Sequence, residues 1–545
     1  MRMSKTVVIV GGVAGGMSTA TRLRRLDPSA NIIVLERSTY VSYANCGLPY
    51  HLGGVITDRD ALILQTPEGL HARFDLDVRV GTEATAIDPV AKTVEVHDLK
   101  AGTTESISYD VLVLSPGAST IIPPIPGVEL AMPLRTVEDM DALIARLEAK
   151  PAHVTVIGGG FIGVEVAENL RHRDIAVTLV EAAPQVLAPI DPEMVKTVED
   201  VMRRNGIDLR TNAQAAAIEP AAVVLANGDR IETELVVLAI GVRPDVSLAK
   251  AAGLTIGTRG GIRTDEFHRT SQPDIYAIGD AAEKIDALDG GPALVPLANI
   301  ANRQGRVVAD HIAGLKPRAI PAQVTAIVKV FNLAVASTGW NEKRLIASDR
   351  PYLAIHTHPG SHAGYYPGQE LMALKLLVDP TTQQILGAQG IGGEGVDKRI
   401  DVIATAMRGG ITAPELMDLE LAYAPPFSSA KDPVNMLGYV ADNIATGSTR
   451  TVQWWEVAEL QAQGATVIDV RTKYEFSRGS IPGALHMPVD DLRELASTIP
   501  AGKVIVYCAV GVRGHTATMF LRGLGIDAYN LDGGIKTWSN SPAKA

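Results

Sequence analysis

Only two residues in this chain of 545 carry a thiol, and each stands in a glycine-flanked turn: Cys46 in "YVSYANCGLPYHL" and Cys508 in "YCAVGVRG". A cysteine thiolate can act as nucleophile, metal ligand or redox group. Asn45, Gly47 and Pro49 suit a turn better than a core strand, so Cys46 reads as a reactive thiol rather than an inert packing residue. Cys508 follows the apolar strand "KVIVY" and precedes a helix read over "HTATMFLRGLGI". A loop of that shape turns successive backbone N–H groups inward and adds the dipole of the following helix. Both favour a thiolate, and equally a persulfide, over the neutral thiol. Arg513 adds a cation at the end of the loop. Two such distant cysteines form neither a disulfide framework nor a cysteine-rich metal cluster, which predicts a reducing compartment and no metal site.

Two glycine turns supply a second chemistry, the binding of phosphate. Gly158, Gly160 and Gly163 fit G-x-G-x-x-G after the strand "HVTVI". The first glycine permits a tight turn, the second admits a pyrophosphate to the backbone, and the third lets helix and strand pack closely. Glu181 closes the next strand, placed to accept hydrogen bonds from a ribose diol. A carboxylate there repels a 2′-phosphate, which predicts NADH over NADPH. The other turn, "IVGGVAGG", places Gly11, Val13 and Gly16 at the three positions, so the middle glycine is replaced. Glu36 closes its second strand. Farther on, "DIYAIGDAAE" ends a strand in Gly279 and Asp280, an acid able to hold a ribityl or ribose hydroxyl or to cap a helix.

The elements that position these residues repeat. "TVVIVGGVAGGMSTATRLRRLDPSANIIVLER" and "HVTVIGGGFIGVEVAENLRHRDIAVTLVEAA" share a plan: β-branched run, glycine turn, helical pattern, apolar run, glutamate. Two βαβ units predict an α/β protein with two doubly wound nucleotide-binding domains, at 1–118 with 250–323 and at 119–249. From residue 324 to 443 the pattern changes to "AIVKVF", "LKLLVD" and "VDKRIDVIATAMRGG", read as an α+β domain. Residues 444–451, which contain "ATGSTRT", read as a linker, and 452–545 as a small α/β domain. The composition, 46% apolar and 20% charged, is that of a soluble globular protein, and a formal charge of −11 argues against nucleic acid and anionic membrane as partners. No uncharged apolar run reaches spanning length, and the first strand leaves no room for a secretory leader, so the expected location is the cytoplasm.

At "IVGGVAGG", "LVLSPGA", "VIGGGFIGVEVAE", "VLAIGVRPD" and "IYAIGDAA" the chain resembles the two-dinucleotide flavoproteins of the pyridine nucleotide–disulfide oxidoreductase family, in order and spacing. The resemblance implies FAD on the first motif, through Gly11, Gly12, Ala14, Gly15, Gly16, Glu36, Arg37, Gly279 and Asp280. It implies NADH on the second, through Gly158, Gly160, Gly163, Glu181 and Gly241. Most disulfide reductases of the family carry two neighbouring cysteines; here Cys46 stands alone, so its partner sulfur or oxygen must belong to another molecule. "SYANCGLPYHLGG" resembles the coenzyme A disulfide reductases, in which the cysteine forms a mixed disulfide with coenzyme A. Related NADH oxidases and peroxidases hold a sulfenic acid instead and usually carry a histidine where this chain has Ala14.

The same resemblance implies coenzyme A contacts at Ser42, at Asn45, and at Arg22 and Arg25, three apart on one helix face. His71 stands where relatives often carry a lysine. "SHAGYYPG" and "LELAYAPPFSSAKDPVN" resemble the subgroup's dimerisation domain, whose tyrosines reach the partner's thiol; Tyr365 and Tyr423 fill that role, with Tyr366 an alternative to the first. "VIDVRTKYEFSRGSIPGALHMP" and "NLDGGIKTW" make the last segment resemble a rhodanese domain, in which Cys508 accepts a sulfane sulfur. The expected protein is a homodimeric, FAD-dependent reductase using NADH on coenzyme A disulfide, coenzyme A persulfide or polysulfide, with coenzyme A as carrier or leaving thiol. Two alternatives stay open: an NADH oxidase or peroxidase, and a slow redox-sensing, sulfur-binding protein.

Overall fold

The run TVVIV becomes the central strand, Thr6–Val10, of a five-stranded parallel sheet in the computed structural model, which describes residues 5–542. Its neighbours are Val111–Leu114 and then Ile275–Ala277 on one side, Asn31–Glu36 and then Asp77–Val80 on the other. Alternate residues of the central strand enter two different cores: Val7 and Ile9 one, Val8 and Val10 the other. Burial on both faces is why this strand is continuously apolar instead of alternating. A second parallel sheet repeats the plan around His153–Ile157, flanked by Ala176–Val180 and Ile207–Arg210, and by Leu235–Leu238 and Ala131–Pro133. The chain passes out of the first sheet through Ala118–Thr120 and returns through Val242–Pro244, and these two strands pair antiparallel. Each sheet also carries a three-stranded antiparallel excursion, over Thr82–Ser108 and Ala215–Glu232.

The chain divides into two compact units, 1–184 with 206–323, and 185–205 with 324–545. In the second, an antiparallel sheet of order Ala326–Val330, Leu333–Gly339, Ile385–Gly392, Met372–Val378, Leu353–Thr357 packs against the helices Val396–Gly409 and Pro433–Ala445. A parallel sheet follows, in the order Thr451–Val452, Ala528–Leu531, Val504–Tyr507, Thr466–Asp469, Leu485–His486. The expected linker is therefore shorter than 444–451, because the helix before it runs to Ala445 and the next strand begins at Thr451. Among the described residues no helix is long and apolar enough to cross a membrane.

Residues 185–205 lie in sequence inside the second dinucleotide domain yet group with the C-terminal unit. Buried charge explains it. Lys375 is wholly buried, and its ammonium lies 2.8 Å from Asp191, 2.5 Å from Glu193 and 2.9 Å from Glu342. These three carboxylates lie close enough together to hold a cation, and the ammonium already takes that place. Glu193 also meets His356 Nε2 at 3.0 Å, and His356 Nδ1 meets Asp532 at 2.6 Å. The chain of charge thus runs from the helix Pro192–Arg204 through the antiparallel sheet to the end of the strand Ala528–Leu531.

Burial opposes the charged forms, but Asp532 and Glu193 prevail and raise His356 to about 9. Against the same burial, Lys375 and His356 hold Glu193 well below the carboxylate range. A raised histidine stabilises the fold fully below its ordinary value and loses that contribution as pH climbs through the folded value. The midpoint of thermal unfolding should therefore fall between pH 6.5 and 9, and His356→Gln should flatten that decline. Lys375→Met strands three buried carboxylates and should cost ~3–5 kcal/mol; a loss under 1 kcal/mol, or an alkaline decline unchanged in His356→Gln, would contradict this account.

Candidate active site

The two glycine turns make matching contacts at their first and third positions. Gly11 and Gly158 both have left-handed backbones, with φ of +100° and +110°, and a Cβ on either would strike the carbonyl oxygen of the neighbouring strand's exit, Ser115 at 2.0 Å or Ala239 at 2.4 Å. A Cβ on Gly16 or Gly163 would lie 1.9 Å from the carbonyl oxygen of Gly11 or Gly158. These positions accept only glycine, one pair for the turn and one for helix–strand contact. The middle position differs. Around Gly160 a Cβ meets nothing within 4 Å, so the protein tolerates a side chain there, and the first turn carries Val13. No side chain caps either of the helices Ala14–Leu26 and Phe161–His172, which leaves their first N–H groups and positive dipole ends toward the turn.

Each turn is also tied to an acid in the same way. Gly12 N–H donates to Glu36 Oε2 at 2.7 Å, and Gly159 N–H to Glu181 Oε2 at 2.6 Å. Ser38 N–H and Ala183 N–H hold the other oxygens at 2.9 and 2.7 Å. Burial pushes the Glu36 carboxyl up. Backbone donors, a helix N-terminus and a carboxylate at the end of the second strand are the groups a dinucleotide requires, and both turns have them. Gly241, with φ of +112°, follows the strand Leu235–Leu238. Arg37 is exposed and 3.6 Å from Glu83. Asp280 sits inside the short 3₁₀ turn Gly279–Ala281 and not at a cap; burial raises its carboxyl, opposed by Lys284 and Arg135. The buried Lys284 donates to the carbonyls of Gly279 and Ala282, and burial lowers its ammonium to about 8.

Cys46 is exposed, in the 3₁₀ turn Asn45–Gly47 that leads into the helix Leu48–Leu52. One contact attaches this segment to the first cradle, Ser42 N–H donating to the Gly12 carbonyl at 2.8 Å; Asn45 Nδ2 reaches instead the carbonyl of Arg135, just past the strand Ala131–Pro133 of the second sheet, at 3.5 Å. Ser42 adopts φ of +49°, so the chain turns sharply there. Despite its access to solvent, the sulfur is crowded by protein atoms, and this desolvation pushes its thiol up, with Glu165 and Asp280 adding repulsion.

The arginines expected at coenzyme A phosphates differ from each other. Arg22 is partly buried and donates from Nε to Asp310 at 2.8 Å, so part of its charge is already answered within the protein. Arg25 is exposed, its guanidinium 6.0 Å from the Phe74 ring centroid. His71 is exposed on the helix Pro67–Phe74.

In the C-terminal unit the hydroxyls of Tyr365 and Tyr423 meet at 3.0 Å, and this bond raises the Tyr365 phenol. Tyr366 instead packs edge-on against His362, so Tyr365 is the one paired with Tyr423. Both tyrosines of the pair are exposed, beside exposed Phe427 and a cavity of about 450 Å³ lined also by Ser361, Lys398 and Arg399. Arg399, which sequence reading did not single out, is buried and ties the two tyrosine loops together. Its Nη2 donates to the Ser361 carbonyl at 3.0 Å, to Ser428 Oγ at 3.2 Å and to Asp432 at 3.0 Å.

Cys508 is buried at the end of the strand Val504–Tyr507. The helix after it starts at Val512, not at His515, so Arg513 lies in its first turn and the loop is shorter than expected. Gly511 N–H donates to Cys508 Sγ at 3.2 Å from a backbone with φ of +98°. Ile535 N–H and Lys536 N–H donate to the carbonyls of Cys508 and Ala509, fixing the loop from behind. Arg513 is clamped by Glu475 at 2.6 and 2.8 Å, which drops that carboxyl to about 2. The cation expected at the end of the loop is thus shared with Glu475. Glu475 was invisible in the sequence as a partner, because it caps a different helix within "RTKYEF".

Residues 5–305 match the family described as pyridine nucleotide-disulphide oxidoreductase, 325–433 its dimerisation domain, and 455–541 the rhodanese-like domain. The coenzyme A disulfide reductase of Staphylococcus aureus is 36% identical over 437 residues, covering 80% of this chain and 99% of its own. The structure of reduced Bacillus anthracis CoADR-RHD superposes with a TM-score of 0.97 at 47% identity, covering 98% of each chain. That of a NAD-dependent persulfide reductase from A. fulgidus gives 0.91 at 36% identity, over 98% of this chain and 100% of its own. The chain belongs to the pyridine nucleotide-disulphide oxidoreductase family, in the form that joins a coenzyme A disulfide reductase-like body to a rhodanese-like domain.

Proposed function

We propose that the protein is an NADH-dependent reductase of coenzyme A disulfide and of persulfides, with Cys46 as the exchanging thiol and Cys508 as acceptor of sulfane sulfur. The observation that carries this reading is the exposed, solitary thiol on a turn hydrogen-bonded to the first dinucleotide cradle. The Cys46 thiolate attacks one sulfur of the substrate, forms a mixed disulfide and releases the other half as a thiolate. FAD, which Gly11, Gly16 and Glu36 would hold, would supply two-electron chemistry drawn from NADH; two electrons taken up by the mixed disulfide restore the Cys46 thiolate and release the second thiol. Coenzyme A is the bound thiol of this reading, with Ser42 and Asn45 in the segment that carries Cys46 and Arg25 an exposed cation in the last turn of the helix Ala14–Leu26. The relatives named for coenzyme A disulfide and persulfide reduction support this substrate class.

The Tyr365–Tyr423 pair, exposed on a dimerisation domain, fits a homodimer in which each pair serves the partner's thiol. At the C-terminal site, Gly511 N–H on the sulfur favours an anionic thiolate or persulfide, and burial protects it from bulk thiols.

Glu181 fixes the nucleotide preference: kcat/KM should favour NADH over NADPH by at least ~10-fold, since a 2′-phosphate would meet a carboxylate held by two backbone N–H groups. Equal values would contradict it. Cys46→Ser should retain FAD and its reduction by NADH while losing about a thousandfold in disulfide and persulfide turnover. Near-normal turnover would end the assignment. Cys508→Ser should abolish sulfur transfer from a sulfane donor and spare reduction of coenzyme A disulfide; equal loss on both substrates would refute the division of labour. Exchange of Cys46→Ser subunits with Tyr365→Phe/Tyr423→Phe subunits should restore part of the activity, because one site of each heterodimer regains both groups. No recovery after verified exchange would exclude the shared site.

A further inference from the structure

Residues 532–537 of the rhodanese-like domain are fixed to the dimerisation sheet at both ends. At one end, the buried Asp532 carboxylate accepts from His356 N–H at 3.0 and 3.2 Å and meets His356 Nδ1 at 2.6 Å. His356 lies in the strand Leu353–Thr357, and its other ring nitrogen is held by Glu193 at 3.0 Å. At the other end, the buried Thr537 hydroxyl meets His358 Nε2 at 2.8 Å. Between them Gly533 and Gly534 turn with φ of +64° and +62°. A Cβ on Gly533 would lie 2.8 Å from His356 Cβ, and one on Gly534 2.6 Å from the Cys508 carbonyl oxygen. One glycine admits the dimerisation strand, and the next admits the Cys508 loop. The middle of the segment braces that loop. Ile535 N–H and Lys536 N–H donate to the carbonyls of Cys508 and Ala509 at 2.9 and 3.1 Å. Two residues before Asp532, Asn530 Nδ2 donates to the carbonyl of Gly511, whose own N–H reaches Cys508 Sγ. Asp532 thus stands between the two sets of contacts that shape the loop, while its side chain is engaged by the neighbouring domain.

We propose that Asp532 and His356 are positioning residues for sulfane-sulfur acceptance: through residues 532–537 the dimerisation sheet sets the backbone that aims Gly511 N–H at the Cys508 sulfur. The reacting loop of the rhodanese-like domain takes its shape from its neighbour and not from its own fold alone. The step that depends on it is attack by the Cys508 thiolate on the outer sulfur of a donor. With thiosulfate, the donor's S–S bond breaks, a new bond joins that sulfur to Cys508, and sulfite leaves with the bonding pair, giving Cys508–S–S⁻. A loop free to drift loses the N–H that holds the attacking sulfur, so the rate of sulfur uptake falls more than donor binding does.

This inference rests on Cys508 being the sulfur acceptor, and two measurements on the full-length holoenzyme keep the two claims apart. Amide hydrogen exchange reads the loop without turnover. In Asp532→Ala the peptide 508–514 should exchange about tenfold faster, while the strand Thr466–Asp469 stays as protected as in the parent. Sulfur uptake from thiosulfate is followed by the mass of the Cys508 peptide. At saturating thiosulfate its rate should fall about tenfold, with the half-saturating concentration little changed and coenzyme A disulfide reduction unaffected. Asp532→Asn, whose amide oxygen can still accept from His356 N–H, should restore most of both losses. If Asp532→Ala does not fold, Thr537→Val decides the matter: it keeps the side-chain shape, removes the hydroxyl that meets His358, and should produce the same changes at smaller size. Loop exchange and sulfur uptake equal to the parent's would overturn the proposal, as would faster exchange throughout the domain, the mark of a merely destabilising change. Faster loop exchange with no sulfur on Cys508 even in the parent would keep the brace and reject Cys508 as acceptor. Sulfur on Cys508 with an unchanged loop would do the opposite.

Discussion

Reducing a disulfide through protein thiols takes at least one sulfur that can be attacked in turn, and the N-terminal unit provides a single one. That constraint orders the rest. With no neighbouring cysteine to close an internal disulfide, the oxidised form of Cys46 must include an atom from outside the chain. The segment that carries it is accordingly fixed by its backbone: Ser42 N–H to the Gly12 carbonyl links it to the first glycine turn, and Gly12 N–H is in turn held by Glu36. The nucleotide cradle and the segment that carries the thiol are therefore joined by backbone hydrogen bonds.

The C-terminal unit meets a different requirement, that of holding several loops in register. Charge does this from within. Arg399 draws together the loops of Tyr365 and Tyr423, and the chain from Lys375 through Glu193 and His356 to Asp532 joins a helix, an antiparallel sheet and the strand end that backs the Cys508 loop. Buried ion pairs of this kind are costly to break and impose geometry more than they add net stability.

The cradles were legible in the sequence because their chemistry is local: a glycine that must have positive φ and an acid at the end of the next strand lie within one βαβ unit. The solitary thiol was legible from composition. What sequence could not reveal was pairing at a distance. Arg22 looked free for a ligand, but its partner Asp310 lies 288 residues away on another helix. Residues 185–205 read as part of the second dinucleotide domain, since nothing local indicates that Glu193 meets Lys375 and His356. The start of the last functional helix was misread for a local reason. Gly511 and Gly514 look alike in sequence, but only Gly511 takes a left-handed backbone; Gly514 is helical and small because a Cβ would lie 2.3 Å from Asn530 Oδ1.

The account stands on a covalent bond between Cys46 and a thiol from another molecule. The direct measurement is the mass of the Cys46 peptide after the NADH-reduced protein is freed of nucleotide and given coenzyme A disulfide. The account predicts one coenzyme A per Cys46, removed by dithiothreitol, with one coenzyme A thiol released to solution. A peptide that gains only oxygen, or stays unmodified while the disulfide is untouched, would contradict it.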